Sequence, residues 1–157
     1  MSSKVPEWIR QSNLIEGINS REEDLQSYEA WIIFKASNLT LQSILQVHGI
    51  ITQNQLENRY QGYWRDCQVW IGGFRPPEAW KVPSLMEGWL DTWSSVKEWE
   101  DIRQAHIAFE TIHPFVDGNG RTGRMIMNKQ RIDAGMDPLC IYAKDRWDYY
   151  AWFEEQR

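Results

Sequence analysis

The apolar residues of this chain recur mainly at spacings of three and four, the period of an amphipathic helix. The first such repeat stops at Gly17, a residue suited to the left-handed end of a helix. Ser20 followed by Glu23 is a capping-box pattern and predicts the start of a second helix. The residues predicted on the buried face of that second helix are Leu25, Tyr28, Ile32, Ala36 and Leu39.

Further helices are predicted downstream. Thr40 is a suitable N-cap for the third, and its inward positions are Leu41, Ile44, Leu45, His48 and Ile51. The fourth begins near Ser84, and the fifth spans about 98–112, where Pro114 ends it because the residue before a proline disfavours the helical region. The sixth spans 121–134, and the last follows Asp145 and contains Tyr149 and Tyr150, which are interpreted as core packing.

The segment 60–82 interrupts the helical pattern, because glycines and prolines are frequent in it. Short apolar pieces flank the Gly72-Gly73 pair, which favours a tight turn. We therefore predict a small β-hairpin that lies on the helical body, since an isolated hairpin is only marginally stable. No repeat or linker divides the chain, so residues 1–157 are predicted to form one mainly α domain.

The composition fits one compact domain and disfavours some partners. Of the 157 residues 42% are hydrophobic, which is enough for a core. Ten residues are tryptophan, so some aromatic surface is expected to stay exposed. The net charge of −5 disfavours non-specific binding to nucleic acid. It does not exclude a local basic cleft that binds a nucleotide.

The sequence carries no signal for a membrane or for export. No apolar run approaches the roughly 20 residues that cross a bilayer, and residues 1–6 lack the apolar stretch of a signal peptide. Cys67 and Cys140 lack the spacing of a metal site or of a disulfide framework. These features predict a cytoplasmic protein without a membrane partner.

One segment, 113–124, brings several chemically capable residues together. His113 ends one predicted helix, and a glycine-rich loop leads to Arg121 and Arg124 in the first turn of the next. A helix N-terminus attracts anions, and arginine adds donors suited to phosphate oxygens. Asp117 is an oxygen ligand suited to Mg²⁺, and His113 can accept a proton near neutral pH.

These residues alone predict an anion or nucleotide site. The competing interpretation is an ordinary turn, because Asp-Gly and Asn-Gly pairs are typical of turns. The loop has neither the spacing of a P-loop nor that of a dinucleotide fold. The other two histidines, His48 and His106, are interpreted as structural.

The string from His113 to Arg124 resembles the signature of the Fic family, His-x-Phe-x-Asp/Glu-Gly-Asn-Gly-Arg-x-x-Arg, at every fixed position. Trp64-Arg65, residues 69–73 and Val82-Pro83 resemble the flap of Fic proteins. The resemblance covers nearly the whole chain. It implies a Fic-type helical bundle with 60–82 as a β-hairpin flap and 113–124 as the catalytic loop and helix start.

The resemblance also implies an activity, the transfer of AMP from ATP to a hydroxyl of a target protein. His113 would be the general base, and Asp117 would hold Mg²⁺ against the phosphates. Phe115 would anchor the loop in the core. The residues implied to bind ATP are Gly118, Asn119 and Gly120 as an anion hole, with a donor from the Asn119 side chain, Arg121 on the phosphates and Arg124 on the γ-phosphate. Those implied to align the target by strand addition are Ile71, Gly72 and Gly73.

A second motif, Ser12-Asn-Leu-Ile-Glu16-Gly17, resembles the inhibitory motif of the family, Ser/Thr-x-x-x-Glu-Gly/Asn. Ser12 and Glu16 share one helix face. The resemblance implies that residues 1–18 form an N-terminal inhibitory helix whose Glu16 pairs with Arg124 and competes with ATP. Taken alone, a serine and a glutamate at a helix edge are typical of solvated surface.

Several alternatives stay open. The Gly-Asn-Gly core favours AMP transfer, because related toxins that phosphorylate depart from it, but transfer of another nucleotide is an alternative. Glu16 could also orient a water that removes AMP from a modified protein. A weakly active module that binds nucleotide and a partner is the alternative outside enzymes. The sequence does not identify the target, which could be the chain itself.

Overall fold

The structure is a computed structural model and describes residues 4–156. It is mainly helical, and residues 1–3 of the predicted inhibitory segment lie outside the described part. The helices are α1 (Glu7–Ile15), α2 (Arg21–Lys35), α3 (Leu41–Ile51), α4 (Val82–Trp93), α5 (Trp99–Ile112), α6 (Asn119–Asp133) and α7 (Arg146–Tyr150). Short 3-10 turns occur at 58–60, 79–81, 143–145 and 151–156.

Polar caps start two of these helices where the sequence predicts. The Ser20 hydroxyl accepts a hydrogen bond from the Glu23 N–H before α2. Thr40 and Ser43 form a reciprocal capping box before α3. Helix α6 begins at Asn119, two residues before the predicted start at Arg121, because Gly118 is its N-cap.

The core lies around α5 and α6, which pack against each other. Helix α4 covers α5, α3 packs on α6, and α2 packs on α3, so the bundle surrounds the start of α6 on several sides. Fully buried core residues include Phe34, Ile44, Met86, Ile102 and Phe109. Within residues 4–156, no helix has both the length and the apolar character of a bilayer span.

The predicted buried face of α2 is wrong in part: Tyr28 and Leu39 pack against the core, but Ile32 and Ala36 are exposed. Ile32 is 48% exposed, and α2 ends at Lys35, before Leu39. The buried residues on the inward face of α2 are Asp24, Ser27, Ala30, Trp31 and Phe34. The first two residues of this face, Asp24 and Ser27, are polar, so a pattern of apolar residues does not predict it.

The predicted β-hairpin is reduced to a single turn. No strand occurs among residues 4–156; Ile71 and Phe74 form one isolated bridge with N···O distances of 3.0 and 2.9 Å around Gly72 and Gly73. Pairing stops there because Pro76, two residues beyond the bridge, has no N–H for a strand ladder. The aromatic surface expected from ten tryptophans is confirmed, and the exposed examples are Trp70, Trp80 and Trp147.

A buried polar contact fixes α1 on α2. The Asn13 amide donates to an oxygen of Asp24 at 2.8 Å, and its carbonyl oxygen lies 3.4 Å from the Ser27 hydroxyl. All three side chains are less than 9% exposed. Because unpaired polar groups are unfavourable in the interior, this contact selects one position of α1 along α2.

Asn13→Ala is expected to lower the free energy of unfolding by about 1–3 kcal/mol, because it leaves the Asp24 carboxylate buried without its donor. Urea unfolding followed by circular dichroism measures this change. The control is Gln46→Ala on the exposed face of α3, which should change stability by less than about 0.5 kcal/mol. Equal stabilities of the two variants would contradict this role of Asn13.

Candidate active site

A cavity of about 440 Å³ opens where the end of α5, the start of α6, the end of α1 and α7 meet. Its lining includes nearly all residues that the sequence singles out. They are His113, Asp117, Gly118, Asn119, Gly120, Arg121, Arg124, Glu16, Ile71 and Gly72. The cavity is also lined by Glu110, Tyr149, Tyr150 and Phe153, which sequence reasoning left out of the site.

His113 stands at the point where α5 ends. Its backbone is left-handed, with φ 52° and ψ 64°, and α5 stops one residue before it, as Pro114 predicts. This conformation is uncommon for a residue with a side chain. It turns the chain abruptly, and the His113 ring lines the cavity.

Arg65 holds this turn from behind. It is 2% exposed, and its Nε donates to the His113 carbonyl at 2.7 Å while Nη2 donates to Ile112 at 3.2 Å. The Arg65 guanidinium also donates to the carbonyls of Cys67 and Pro77. One side chain therefore binds the carbonyls of Ile112 and His113 at the end of α5 and ties them to the segment that bears the Ile71–Phe74 turn.

The loop after His113 is anchored through Phe115, as the resemblance implies. Phe115 is fully buried and stacks on the His48 ring with centroids 3.6 Å apart and planes 5° apart. The Asn119 side chain closes the loop, accepting from the Phe115 N–H at 2.8 Å and donating to its carbonyl at 2.9 Å. The Asn119 amide therefore shapes the loop.

His48 fixes the other side of the loop in a defined protonation state. Its Nδ1 accepts from the Gly62 N–H at 3.0 Å, so the ring proton is on Nε2, which donates to the Asp117 carbonyl at 2.8 Å. Burial lowers the pKa of His48 to about 4, which keeps the ring neutral. The prediction that His48 lies on the buried face of α3 is confirmed.

Gly118 is the hinge between the loop and α6. Its φ is +83°, a value that favours glycine, and a Cβ there would lie 2.8 Å from Thr52 Cγ2. Its N–H donates to Asp117 Oδ1 at 2.8 Å. The backbone at the start of α6 can therefore approach a ligand closely, and the Asp117 carboxylate is held at the cavity edge.

Arg121 lies in the first turn of α6 and is 3% exposed. Its Nη1 donates to the Ile51 carbonyl at 3.2 Å, whereas its Nε has no hydrogen-bond partner among the residues that the structure describes. A buried guanidinium with an unused donor beside a helix N-terminus suits an anionic ligand.

Arg124 is bound by the N-terminal helix. Its Nε donates to the Ser12 hydroxyl at 2.7 Å, and Nη2 donates to the Ser12 carbonyl at 3.0 Å and to Glu16 Oε2 at 2.6 Å. The Arg124 side chain is 3% exposed, whereas that of Glu16 is 37% exposed and faces the cavity. Ser12 lies behind Arg124, so the motif residues meet as the resemblance implies.

The Glu16 carboxylate occupies the space over the first turn of α6. A Cβ at Gly120 would collide with Glu16 Oε2, so the glycine makes room for the carboxylate. Burial alone would raise the pKa of Glu16, but Arg124, together with Arg121 and His113, holds it below its ordinary value. An anionic side chain therefore fills a position suited to anions.

The residues present fit a magnesium ion that is shared with phosphates. Asp117 is exposed at the cavity edge, and no cluster of three or more histidine, cysteine or acidic side chains able to hold a metal occurs among residues 4–156. Mg²⁺ in nucleotide sites is commonly held by one or two carboxylates plus substrate phosphates and water. A single carboxylate suits that arrangement rather than an all-protein metal site.

Comparison with known proteins agrees with this geometry. The model of the Fic/DOC family matches residues 38–130. A protein of Culex quinquefasciatus named protein adenylyltransferase Fic is 31% identical over 151 residues, which covers 93% of this chain. A Drosophila virilis protein of the same name is 37% identical over 117 residues, covering 71% of this chain. The chain spans only 29% and 24% of the lengths of these two relatives.

Solved structures share the fold. Fic-1 (residues 134–508) from C. elegans has a TM-score of 0.77 at 20% identity, over 95% of this chain and 54% of the other. The structure of IbpAFic2 covalently tethered to Cdc42 has a TM-score of 0.69 at 17% identity, over 92% of this chain and 58% of the other. At these identities the likeness concerns the fold alone.

The Glu16–Arg124 pair predicts a pH dependence of stability. Because the pKa of Glu16 is lowered in the folded state, its contribution is complete above the ordinary value of 4.5 and is lost as the pH falls through the lowered pKa. The difference in unfolding free energy between the wild type and Glu16→Gln should therefore shrink as the pH falls below about 4.5. Urea titrations across this range measure it, and a difference that stays constant would contradict the pairing.

Proposed function

Because the chain belongs to the Fic/DOC family, we propose that it transfers AMP from ATP to a tyrosine, serine or threonine hydroxyl of a protein and is restrained by Glu16. The observation that carries this proposal is that His113, the N-terminus of α6 and two buried arginines face one cavity. The relatives named protein adenylyltransferase Fic support the reaction class. Since those relatives are much longer, the activity is proposed for this chain.

The cavity suits a nucleoside triphosphate in size and charge. Its volume of about 440 Å³ lies in the range of small-ligand sites. The phosphates would lie over the first turn of α6, where the N–H groups of Asn119 and Gly120 and the guanidinium of Arg121 can donate to them. The N–H of Gly118, which the resemblance also implies for the anion hole, donates instead to Asp117 Oδ1. The aromatic side chains of Tyr150 and Phe153 line the remaining part of the cavity and are available for the rest of the nucleotide.

The reaction then needs one base and a fixed geometry. His113 takes the proton of the target hydroxyl while that oxygen attacks the α-phosphorus of ATP. The new O–P bond forms as the bond to pyrophosphate breaks, and pyrophosphate leaves with the electron pair. The protein contributes mainly positioning and charge stabilisation, which fits a histidine whose backbone is held by Arg65.

Asp117 would hold the Mg²⁺ that accompanies ATP. When bound, the ion would neutralise phosphate charge and orient the phosphate chain. The chain's own part is to keep the Asp117 carboxylate at the cavity edge, through the N–H of Gly118 and the bond from His48 to the Asp117 carbonyl.

The target would dock at the turn formed by Ile71, Gly72, Gly73 and Phe74. Ile71 and Gly72 line the cavity, so a bound segment would pass beside His113. Adding a strand requires free backbone groups, and the exposed Gly72 and Gly73 leave room for one. The structure of IbpAFic2 tethered to Cdc42 supports a protein as the class of target, and the target here is another protein or the chain itself.

Glu16 acts as the brake in this proposal. Arg124 is the residue proposed for the γ-phosphate, and in this structure its Nη2 donates to the Glu16 carboxylate at 2.6 Å. A triphosphate that reaches Arg124 must displace this carboxylate. The resting protein is therefore expected to bind ATP poorly in the orientation that transfers AMP.

Glu16→Gly is expected to increase AMP transfer at least tenfold over the wild type, because a tenfold gain corresponds to only about 1.4 kcal/mol of relieved competition at Arg124. Incubation with ATP and Mg²⁺ followed by intact-mass measurement, with and without added protein substrates, detects the AMP adduct. A different added mass would instead indicate transfer of another nucleotide or of phosphate.

The matched control is Glu16→Gly combined with His113→Ala. Loss of a general base lowers the rate by about 10²–10⁴-fold, while ATP binding should be retained. Absence of modification by both proteins, with ATP still bound, would contradict the proposal and indicate a regulatory nucleotide-binding module. Release of AMP from a modified target that depends on Glu16 would indicate the reverse reaction.

A further inference from the structure

Arg124 has a second set of contacts that does not involve α1. Its Nη1 donates to the Tyr149 hydroxyl at 3.3 Å, and its guanidinium carbon lies 5.6 Å from the centre of the Tyr149 ring. Nη1 is a different nitrogen from the Nε and Nη2 that bond to Ser12 and Glu16. Displacement of Glu16 therefore leaves the Tyr149 contact in place.

The Tyr149 hydroxyl is itself oriented by His106 of α5. The distance from His106 Nε2 to the Tyr149 oxygen is 2.6 Å, and both side chains are at most 3% exposed. Burial, and to a smaller extent the positive charge of Arg124 nearby, lowers the pKa of His106 to about 3. The His106 ring is therefore neutral. Burial raises the pKa of the Tyr149 hydroxyl, so that it keeps its proton.

Neutral His106 can accept a hydrogen bond at Nε2, and Tyr149 keeps a proton to donate. The Tyr149 oxygen accepts from Arg124, which cannot accept, and we assign the Tyr149 proton to His106 Nε2, the acceptor 2.6 Å away. His106 must then carry its ring proton on Nδ1. The result is a directed chain from Arg124 through Tyr149 to His106, and buried chains of this kind strengthen their members.

We propose that Tyr149, oriented by His106, is a positioning residue that holds the Arg124 guanidinium in its phosphate-binding orientation after Glu16 has been displaced. This inference rests on the proposed function, because it concerns the state in which ATP has replaced the carboxylate. Without Tyr149, the long Arg124 side chain would lose its remaining fixed partner on Nη1. The contact between Arg124 and the terminal phosphate would become weaker, and the affinity for ATP would fall.

The test is made in the Glu16→Gly protein with Tyr149→Phe, which keeps the ring and removes the hydroxyl. The dissociation constants of ATP and of AMP are measured by calorimetry. The constant for ATP should rise roughly three- to tenfold, the effect of one hydrogen bond, while that for AMP stays unchanged because AMP lacks the terminal phosphate. Tyr28→Phe on α2, away from the cavity, is the control and should change neither constant.

A second pair of variants, at His106, tests the same inference if Tyr149→Phe does not fold. His106→Gln keeps an acceptor for the Tyr149 hydroxyl and should leave the ratio of the ATP and AMP constants within about twofold of the parent, whereas His106→Leu removes the acceptor and should lower ATP affinity selectively. A purely structural role would weaken ATP and AMP binding equally in these variants, and that result would overturn the proposal.

The outcomes separate this inference from the proposed function. If the Glu16→Gly protein binds ATP but transfers no AMP, the proposed function fails, while the comparison of ATP with AMP still decides the role of Tyr149. If the protein transfers AMP and Tyr149→Phe leaves the ATP constant unchanged, the role of Tyr149 fails alone. If the protein binds neither nucleotide, both are overturned.

Discussion

The Arg124 guanidinium is buried and charged, and it therefore requires hydrogen-bond partners inside the protein. The Arg124 side chain is 3% exposed and donates hydrogen bonds to α1 on one side and to Tyr149 on the other. Taking such a charge out of water is costly unless it is paired. The Glu16 carboxylate supplies that pairing in this structure. In the proposed function a phosphate of ATP takes its place, so that restraint and substrate binding use one position.

The catalytic loop depends on a different constraint, which is that its backbone groups must be satisfied although it is not regular structure. Three side chains do this: Arg65 and His48, which are distant in the chain, bind the carbonyls of His113 and Asp117, and Asn119, four residues along, binds both backbone groups of Phe115. Each bond fixes a residue beside the cavity. The conformation of the loop is therefore preorganised by the protein and does not require a bound anion.

Sequence reasoning succeeded where local chemistry decides the structure and failed where distant partners do. The caps at Ser20 and Thr40 and the break at Pro114 are local, and the structure has them. The inward face of α2 could not be predicted, because Asp24 is buried only through its bond to Asn13 on another helix. The predicted hairpin was longer than the observed turn, because a glycine pair predicts a turn but not the pairing of strands on either side of it.

The same distinction holds for the site. The signature residues lie close together in the sequence and were identified from it, and they line one cavity. The sequence assigned Arg65 to the flap but did not predict which groups it binds. Tyr149 was interpreted as a core residue. Their contacts with His113 and Arg124 join residues far apart in the chain. No spacing pattern in a single sequence reports such contacts, since they arise from the packing of helices.

In the proposed function, Glu16 competes with the terminal phosphate of ATP for Arg124, and the whole proposal depends on this competition. Its most direct test is a double-mutant cycle on the ATP dissociation constant, measured for the wild type, Glu16→Ala, Arg124→Ala and the double variant, with folding checked by circular dichroism. If the two compete, Glu16→Ala strengthens ATP binding when Arg124 is present and has no effect when Arg124 is absent. Equal strengthening in both backgrounds would contradict it.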